Sequence, residues 1–186
     1  MGKLVVTEFV SLDGVFEDPG GSESYEHGGW TFEYDRGDDG NKFKLNELMD
    51  AEVQLLGRVT YEGFAAAWPS REGSFADKLN SDPKVVVSTT LEDPSWQNTT
   101  VVSEDVVAAI SKLKEDTEGS ILVSGSGTLV ATLLGAGLVD ELRLMVFPVL
   151  LGGGKRLFGE LGDKLRLQRR DTLELGDGVL VLTYVR

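Results

Sequence analysis

The segment Ile121-Leu-Val-Ser-Gly-Ser-Gly-Thr-Leu-Val-Ala-Thr-Leu-Leu134 joins a short apolar strand to the apolar face of a helix through a glycine-rich turn. Glycine lets the backbone approach a ligand closely, and the free amides of a helix N-terminus favour a bound anion. The segment therefore indicates an α/β protein whose turn at 125–128 is either a phosphate-binding loop or a glycine-eased packing turn. Two common nucleotide motifs are excluded, because Val130 stands where the dinucleotide fingerprint has its third glycine and no Gly-Lys-Ser/Thr closes a Walker loop.

Hydrophobic patterning on both sides of this segment predicts a mainly parallel central sheet flanked by helices, with an antiparallel hairpin at the C-terminus. We expect strands at 3–10, 53–56, 84–88, 101–102, 121–123 and 141–147, a hairpin of 165–175 and 179–185, and helices near 43–49, 60–68 and 104–114. No repeat or linker divides the sequence, so we expect a single domain over residues 1–186. The glycine-rich, acidic stretch 16–40 is either a substrate lid or a loop with a short surface strand at 30–34.

Two further strand ends carry polar groups that suit a phosphate. One is followed by Gly57-Arg-Val-Thr60, which offers the cation of Arg58 and the hydroxyl of Thr60, and the other ends in Ser88 and Thr89. Arginine can contact a phosphate through two donors at once. Because the carboxyl ends of adjacent strands border one crevice in an open α/β sheet, three such ends can bind one multiply phosphorylated ligand. The alternative is that Arg58 forms a surface ion pair and the hydroxyls only cap helices.

The composition excludes several classes of function. With 18 basic and 31 acidic residues and a net charge of −13, general attraction to nucleic acid or to a membrane surface is not expected. The absence of cysteine excludes disulfides, thiolate metal sites and a cysteine nucleophile, and the single histidine, His27, cannot build a multi-histidine metal site. No bound metal is therefore expected. Without a signal region or a run of about 18 apolar residues, the expected location is the cytoplasm.

Six motifs follow one another along nearly the whole chain: Ser11-Leu-Asp-Gly14, Leu56-Gly-Arg-Val-Thr-Tyr61, Val85-Val-Val-Ser88, Ile121-Leu-Val-Ser-Gly-Ser-Gly-Thr128, Asp140-Glu-Leu-Arg-Leu144 and Pro148-Val-Leu-Leu-Gly-Gly-Gly-Lys-Arg-Leu-Phe158. In this order they resemble the dihydrofolate reductase superfamily, and within it the riboflavin-biosynthesis reductases, which form the C-terminal domain of a bacterial bifunctional deaminase-reductase. The resemblance implies a dihydrofolate reductase-like fold and NADPH-dependent hydride transfer to a small-molecule substrate, similar to that of 5-amino-6-(5-phosphoribosylamino)uracil reductase.

The same resemblance implies roles for the polar strand ends. Arg58, with Ser88 and Thr89, would hold the adenosine 2′-phosphate, and Thr60 would assist at the pyrophosphate. The turn that follows residue 124 would line the pyrophosphate and nicotinamide side, and its first peptide bond is expected to be cis, as in the matching pair of dihydrofolate reductases. The complete cofactor-binding set is Gly57, Arg58, Thr60, Ser88, Thr89, Gly125, Ser126, Gly127, Thr128 and Leu129.

Two departures from the resembled families limit the choice of substrate. Dihydrofolate reductases place a carboxylate near the start of the helix that precedes the Gly-Arg junction, whereas this region reads Asn41-Lys-Phe-Lys-Leu45, so folate reduction is not expected. Ser124 stands where the riboflavin-pathway reductases carry a glutamate. The sequence therefore predicts a reductase of a small heterocyclic or carbonyl-like compound, with a non-catalytic nucleotide-binding module, a sensor or scaffold, as the alternative.

Few side chains are candidates for contact with the substrate. Asp13 could supply a proton or a polar contact, or it could simply stabilise the Asp-Gly turn. Trp30 could cover a flat heterocycle, although an aromatic residue of this kind also packs against a core. The predicted strand 141–147 has apolar residues on both faces, and the resembled reductase domains commonly pair, so we expect a homodimer.

Overall fold

Eight strands form one sheet in the computed structural model, which describes residues 1–159 and 163–186. The strands are β1 (Lys3–Ser11), β2 (Ala51–Gly57), β3 (Lys84–Val87), β4 (Thr99–Val102), β5 (Ser120–Val123), β6 (Glu141–Phe147), β7 (Gln168–Glu174) and β8 (Leu180–Val185). Their order across the sheet is β4-β3-β2-β5-β1-β6-β8-β7. The first six strands are mutually parallel, while β8 runs antiparallel to both β6 and β7. The predicted α/β sheet with an antiparallel C-terminal hairpin is confirmed.

Five α-helices connect or follow the parallel strands: α1 (Gly37–Met49), α2 (Arg58–Ala67), α3 (Ser74–Ser81), α4 (Val106–Asp116) and α5 (Gly127–Gly135). Helix α1 begins inside the stretch that the sequence predicted as a loop, and α3 was not predicted. Helix α3 is only eight residues long and buries just Ala76 and Leu79, so its apolar periodicity is too weak to read from the sequence. None of the described helices is long and apolar enough to cross a membrane.

Residues Trp30–Glu33 form a short 3-10 helix, and the alternative of a surface strand at 30–34 is wrong. Gly29, with a φ of 79°, turns the chain into this helix in a left-handed conformation that glycine tolerates best. The turn directs Trp30 into the core, where its ring meets Phe147 edge to face at 5.3 Å. Its indole nitrogen donates to the carbonyl of Glu17 at 2.9 Å, so the polar end of the side chain is also satisfied.

The core lies on both faces of the sheet and fixes the strand ends in place. On one face Leu129, Val130 and Leu133 of α5 pack against Val6 of β1 and Val123 of β5, all nearly inaccessible to solvent. Each such apolar side chain stabilises the fold by about 1.5 to 3 kcal/mol on burial. Helix α5 is therefore held firmly over the two central strands, and its first turn lies at their carboxyl edge.

Candidate functional site

Three neighbouring strand ends form the centre of the carboxyl edge of the sheet. Strands β3, β2 and β5 are adjacent in the sheet, and their last residues are Val87, Gly57 and Val123. The chain continues from β2 directly into α2 and from β5 through three residues into α5. The structure thus brings together the three polar junctions that the sequence singled out, at residues 57–60, 88–89 and 124–129. We refer to this region as the open edge.

The junctions after β2 and β5 touch through their backbones. The amide of Gly57 donates to the carbonyl of Gly125 at 3.1 Å. A Cβ atom at Gly57 would lie only 2.9 Å from both the Cβ and the backbone nitrogen of Ser126. This distance is shorter than the contacts that Cβ atoms make with non-bonded atoms in proteins. Glycine at position 57 is therefore required by this close approach and not by an unusual backbone conformation, because its φ is −80°.

The turn after β5 has the backbone that the resemblance implied. The peptide bond between Gly125 and Ser126 is cis, and Gly125 has a φ of 89°. Gly127 begins α5 beneath the ring of Phe16, where an added Cβ would lie 2.9 Å from Cε1 of that ring. The glycines of this turn are thus used for close contact on two sides, with Gly57 and with Phe16.

Two helix N-termini open at this edge without a side-chain cap. Helix α2 has Gly57 as its N-cap residue and α5 has Ser126, and in neither case does the cap side chain bond to the first turn. The first amides of a helix have no partner within the helix, and together they favour a negatively charged group. Two such ends on adjacent strands can hold two neighbouring anionic groups, as a pyrophosphate would require.

A surface depression lies between these helices and the start of α4. Its wall combines apolar side chains with hydroxyls, from Gly57, Val87, Val106, Ser126, Thr128, Leu129 and Thr132. Aliphatic side chains below and hydroxyl groups at the rim suit a flat, partly polar ring with an attached sugar. The depression therefore extends the open edge toward β3 and α4.

Arg58, at the first position of α2, has the surface ion pair that the sequence offered as its alternative role. Its guanidinium contacts both carboxylate oxygens of Glu62 at 3.0 and 2.9 Å, and the two side chains are 44% and 50% exposed. An exposed pair of this kind contributes little to stability, about 0 to 1 kcal/mol, so a phosphate can replace the carboxylate at small cost. The ion pair and an anion-binding role for Arg58 are therefore compatible.

Ser88 and Thr89 differ in their surroundings. Ser88 is 8% exposed, and its hydroxyl accepts from the amides of Thr90 and Leu91 at 3.1 and 3.0 Å. Thr89 is exposed at the surface. Ser88 thus stabilises the turn after β3 while keeping a hydroxyl proton, and Thr89 is the freer of the two hydroxyls.

A half-buried glutamate that sequence reasoning missed, Glu8 of β1, lies beside the open edge, next to β5. Oxygen Oε1 of Glu8 has no solvent contact and no hydrogen-bond partner among the described residues. A Cβ at Gly125 would lie 2.7 Å from Oγ1 of Thr60 and 3.6 Å from this Oε1, so the two oxygens flank the turn after β5. Burial raises the pKa of Glu8 to about 8, although the positive charge of Lys44 and the nearby backbone of Gly125 both act to lower it. The signal in the sequence was one glutamate inside the apolar strand β1.

The opposite face of β1 carries a second buried carboxyl whose contacts are complete. Glu47 of α1 accepts from Thr7 at 3.0 Å, from Lys44 at 2.6 Å and from Arg143 of β6 at 3.2 Å. The Lys44 ammonium also donates to the Thr7 hydroxyl at 2.8 Å. These contacts bind α1 to β1 and β6, and the sequence did not single out any of the four residues.

Asp13 lies in the turn that follows β1 and bonds to a neighbouring loop. Its carboxylate accepts from the Ser11 hydroxyl at 2.6 Å and from the amides of Gly152 and Leu151 at 3.0 and 3.2 Å. The Ser11 hydroxyl, assisted by the two amides, lowers the pKa of Asp13 to about 2. These contacts correspond to the role in the turn that the sequence offered as the alternative. A carboxyl with this pKa is ionised at neutral pH and has no proton to supply.

The other aromatic and histidine candidates lie away from the open edge. Trp30 is 1% exposed, which corresponds to the packing alternative and leaves its ring no face for a ligand. His27 is exposed and packs edge to face against Tyr25 at 5.5 Å. Neither residue lines the depression described above.

Comparison with known proteins agrees with this architecture. The family described as the RibD C-terminal domain matches residues 2–181. The uncharacterized protein YwjB of Bacillus subtilis (strain 168) is 28% identical over 184 residues, which cover 99% of this chain and 98% of that protein.

Two solved structures share the fold. The crystal structure of a putative riboflavin biosynthesis protein from Shewanella sp. PV-4 has a TM-score of 0.78 at 24% identity, covering 99% of this chain and 98% of its own. Dihydrofolate reductase from Enterococcus faecalis, complexed with NADP(H) and RAB-propyl, has a TM-score of 0.59 at 17% identity, covering 100% and 96%. The predicted dihydrofolate reductase-like fold is thereby confirmed. Because the family match extends over nearly the whole chain, this protein belongs to the RibD C-terminal domain family.

Proposed function

We propose that this protein is an NADPH-dependent reductase of a small heterocyclic or carbonyl-like compound. The observation that carries the proposal is the convergence of the N-termini of two helices, α2 and α5, across the contact between Gly57 and Ser126. Membership of the RibD C-terminal domain family supports it, as does the shared fold with a dihydrofolate reductase that binds NADP(H).

The residues of the open edge fit the parts of this cofactor. The amides at the start of α2 and α5, with the Thr60 hydroxyl, would hold the pyrophosphate, and residues 125–129 would line the nicotinamide side. Arg58 with Ser88 and Thr89 would hold the adenosine 2′-phosphate. The fit rests on a cradle that any side chain at position 57 would fill and on a buried, unpartnered oxygen of Glu8.

The bound cofactor would supply hydride, and the protein would have to position it, exclude water and handle one proton. The packing of α5 on β1 and β5 fixes the nicotinamide side of the edge, because the first turn of α5 cannot move without breaking the core. Asp13 does not suit proton supply, since it is ionised and bonded to a neighbouring loop. The proton must come from elsewhere in the crevice or from water.

Replacement of Arg58 tests the proposed preference for NADPH over NADH. Arg58→Ala should weaken NADPH binding about tenfold or more, because a charge-assisted contact to phosphate contributes roughly 1.5 to 3 kcal/mol, and should leave NADH binding nearly unchanged. The measurement is the dissociation constant of each nucleotide by calorimetry. Lys112→Ala is the matched control, since Lys112 forms the same kind of exposed pair with Asp116 on α4, at 3.1 Å.

Replacement of Glu62 provides the opposite test at the same place. Glu62→Gln removes the carboxylate that competes for Arg58, so it should tighten NADPH binding by a few fold while Arg58→Ala weakens it. Weaker NADPH binding in Glu62→Gln would contradict the assignment of Arg58 to the 2′-phosphate. Saturating NADPH that leaves the thermal midpoint of the wild type unchanged would remove the cofactor proposal altogether.

The substrate can be identified by measuring the loss of NADPH absorbance in the presence of each member of a panel of acceptors. The panel contains 5-amino-6-(5-phosphoribosylamino)uracil, pterins, simple pyrimidines and quinones. Turnover with any of them supports a reductase, whereas tight NADPH binding without turnover across the panel favours the non-catalytic module. The expected homodimer stays a prediction, which light scattering tests directly.

A further inference from the structure

Oxygen Oε1 of Glu8, beside the open edge, is the one buried side-chain polar atom that has no hydrogen-bond partner among residues 1–159 and 163–186. Buried polar atoms nearly always have a hydrogen-bond partner, and an exception calls for a specific explanation. Its counterpart on the other face of β1, Glu47, has three partners and holds α1 in place. Glu8 has no comparable set of partners, and its Oε1 lies beside Gly125, at the turn proposed to line the nicotinamide side.

We propose that Glu8 is the proton donor of this site, a neutral carboxylic acid that contacts the compound being reduced. The proposal deepens the reductase function and rests on it. As the acceptor carbon receives hydride from NADPH, the O–H bond of the Glu8 carboxyl breaks and its proton passes to the heteroatom of the acceptor double bond. Glu8 is left as a carboxylate, which takes up a proton from water before the next turnover.

The surroundings of Glu8 favour the neutral form. Its partner in register on β6 is the apolar Leu144, and the turn after β5 presents the backbone of Gly125. Lys44 on α1 is the charged group that acts on it from the helix packed over β1, and its ammonium is already bonded to Thr7 and Glu47. Burial outweighs this charge and raises the pKa of Glu8 to about 8, so the carboxyl carries its proton at neutral pH.

Infrared difference spectroscopy tests the protonation state without any substrate. The spectrum of the wild type minus that of Glu8→Gln should contain the C=O band of a protonated carboxylic acid at neutral pH, and this band should disappear as the pH rises past about 8. Glu52→Gln is the matched control, because Glu52 is an exposed glutamate on β2. A difference spectrum with only carboxylate bands for Glu8 at neutral pH would overturn the proposal.

Proton release on nucleotide binding tests whether Glu8 faces the nicotinamide, and it needs no variant. The oxidised ring is cationic, so NADP⁺ should favour ionised Glu8 and displace close to one proton at neutral pH, while NADPH should displace almost none. Calorimetry in buffers of different ionisation enthalpy measures this number. Glu8→Gln should bind both nucleotides and abolish the difference between them.

The outcomes separate this proposal from the reductase function. If neither nucleotide binds, the proposed function fails, and the infrared result still reports the charge of Glu8. If NADPH and NADP⁺ both bind with equal proton release, the cofactor site stands and the role of Glu8 is refuted. With an acceptor that gives turnover, kcat of the wild type should fall above about pH 8, and Glu8→Gln should lower kcat about a hundredfold with little change in the NADPH dissociation constant.

Discussion

The carboxyl edge of the sheet contains a closed region and an open one. The closed region is the turn 11–14 with the loop 151–152, where Asp13 accepts from Ser11 and from two backbone amides. The open edge contains two uncapped helix N-termini and Glu8 with an unpartnered oxygen. Two carboxyls near the end of one strand thus have pKa values of about 2 and about 8. Polar groups that bond to each other hold a loop, and polar groups left without partners are available to a ligand.

The largest expected effect concerns the pH dependence of stability at Glu8. Because the pKa of Glu8 in the folded protein lies above the ordinary 4.5, its contribution to stability is complete below about pH 4.5 and is lost as the pH rises to about 8. The loss is on the order of 5 kcal/mol in the free energy of unfolding. Glu8→Gln cannot ionise, so the stability difference between wild type and variant should change by about that amount across this window.

Chemical denaturation at a series of pH values measures this difference. Glu52→Gln, at an exposed position of β2, is measured in parallel as the control for a glutamate-to-glutamine change. Parallel stability curves for the wild type and Glu8→Gln would mean that Glu8 has an ordinary pKa, and the contrast between the two regions would then disappear.

An added methyl group at Gly57 should separate the two junctions of the open edge. Gly57→Ala places a Cβ 2.9 Å from Ser126, and relief of such overpacking costs roughly 1 to 3 kcal/mol. We expect NADPH binding to weaken about tenfold or more, because the amides of α2 and α5 no longer converge. Gly135→Ala is the matched control, since a Cβ there meets no atom within 4 Å. Equal NADPH affinity in the two variants would show that the apposition of the helix ends does not matter for binding.

The same contrast explains how much of the fold and of the candidate site could be predicted from the sequence. Strands, the C-terminal hairpin and the three polar junctions follow from local patterns, because β-branched runs and glycine-hydroxyl turns are visible in a few consecutive residues. Strand β6 was predicted with the bounds that it has, Glu141–Phe147. The adjacency of β3, β2 and β5 was assumed from the general rule for open α/β sheets, because no local pattern contains the strand order.

The residues that were missed depend on contacts between distant parts of the chain. Glu8 looked like an ordinary polar position in a strand, and its closeness to Gly125 and Thr60, which are distant in the sequence, is seen only in the folded chain. Glu47 is similar, because its partners Thr7 and Arg143 come from two other elements. For Trp30 the sequence left two roles open, and the structure corresponds to packing against the core, because a left-handed glycine at position 29 turns the chain so that the ring points inward.

The smallest expected effect belongs to the closed region. Asp13→Asn weakens the contacts to Leu151 and Gly152 and should lower the free energy of unfolding by about 1 to 2 kcal/mol at neutral pH, a modest value because the carboxylate is partly exposed. Since the pKa of Asp13 is lowered to about 2, this contribution is present above about pH 4 and is lost as the pH falls toward 2. Wild type and variant should therefore approach equal stability in strong acid. Amide hydrogen exchange at Leu151 and Gly152 should also be faster in the variant.

The decisive comparison is between Asp13→Asn and Glu8→Gln in the same titration. Two quantities are compared: the change in stability that ends near pH 8, and the proton released on NADP⁺ binding. If the two regions are independent, both should remain in Asp13→Asn and both should be lost in Glu8→Gln. If Asp13→Asn abolishes them instead, the proton belongs to the turn after β1, and the completeness of its hydrogen bonds does not prevent Asp13 from acting as the acid.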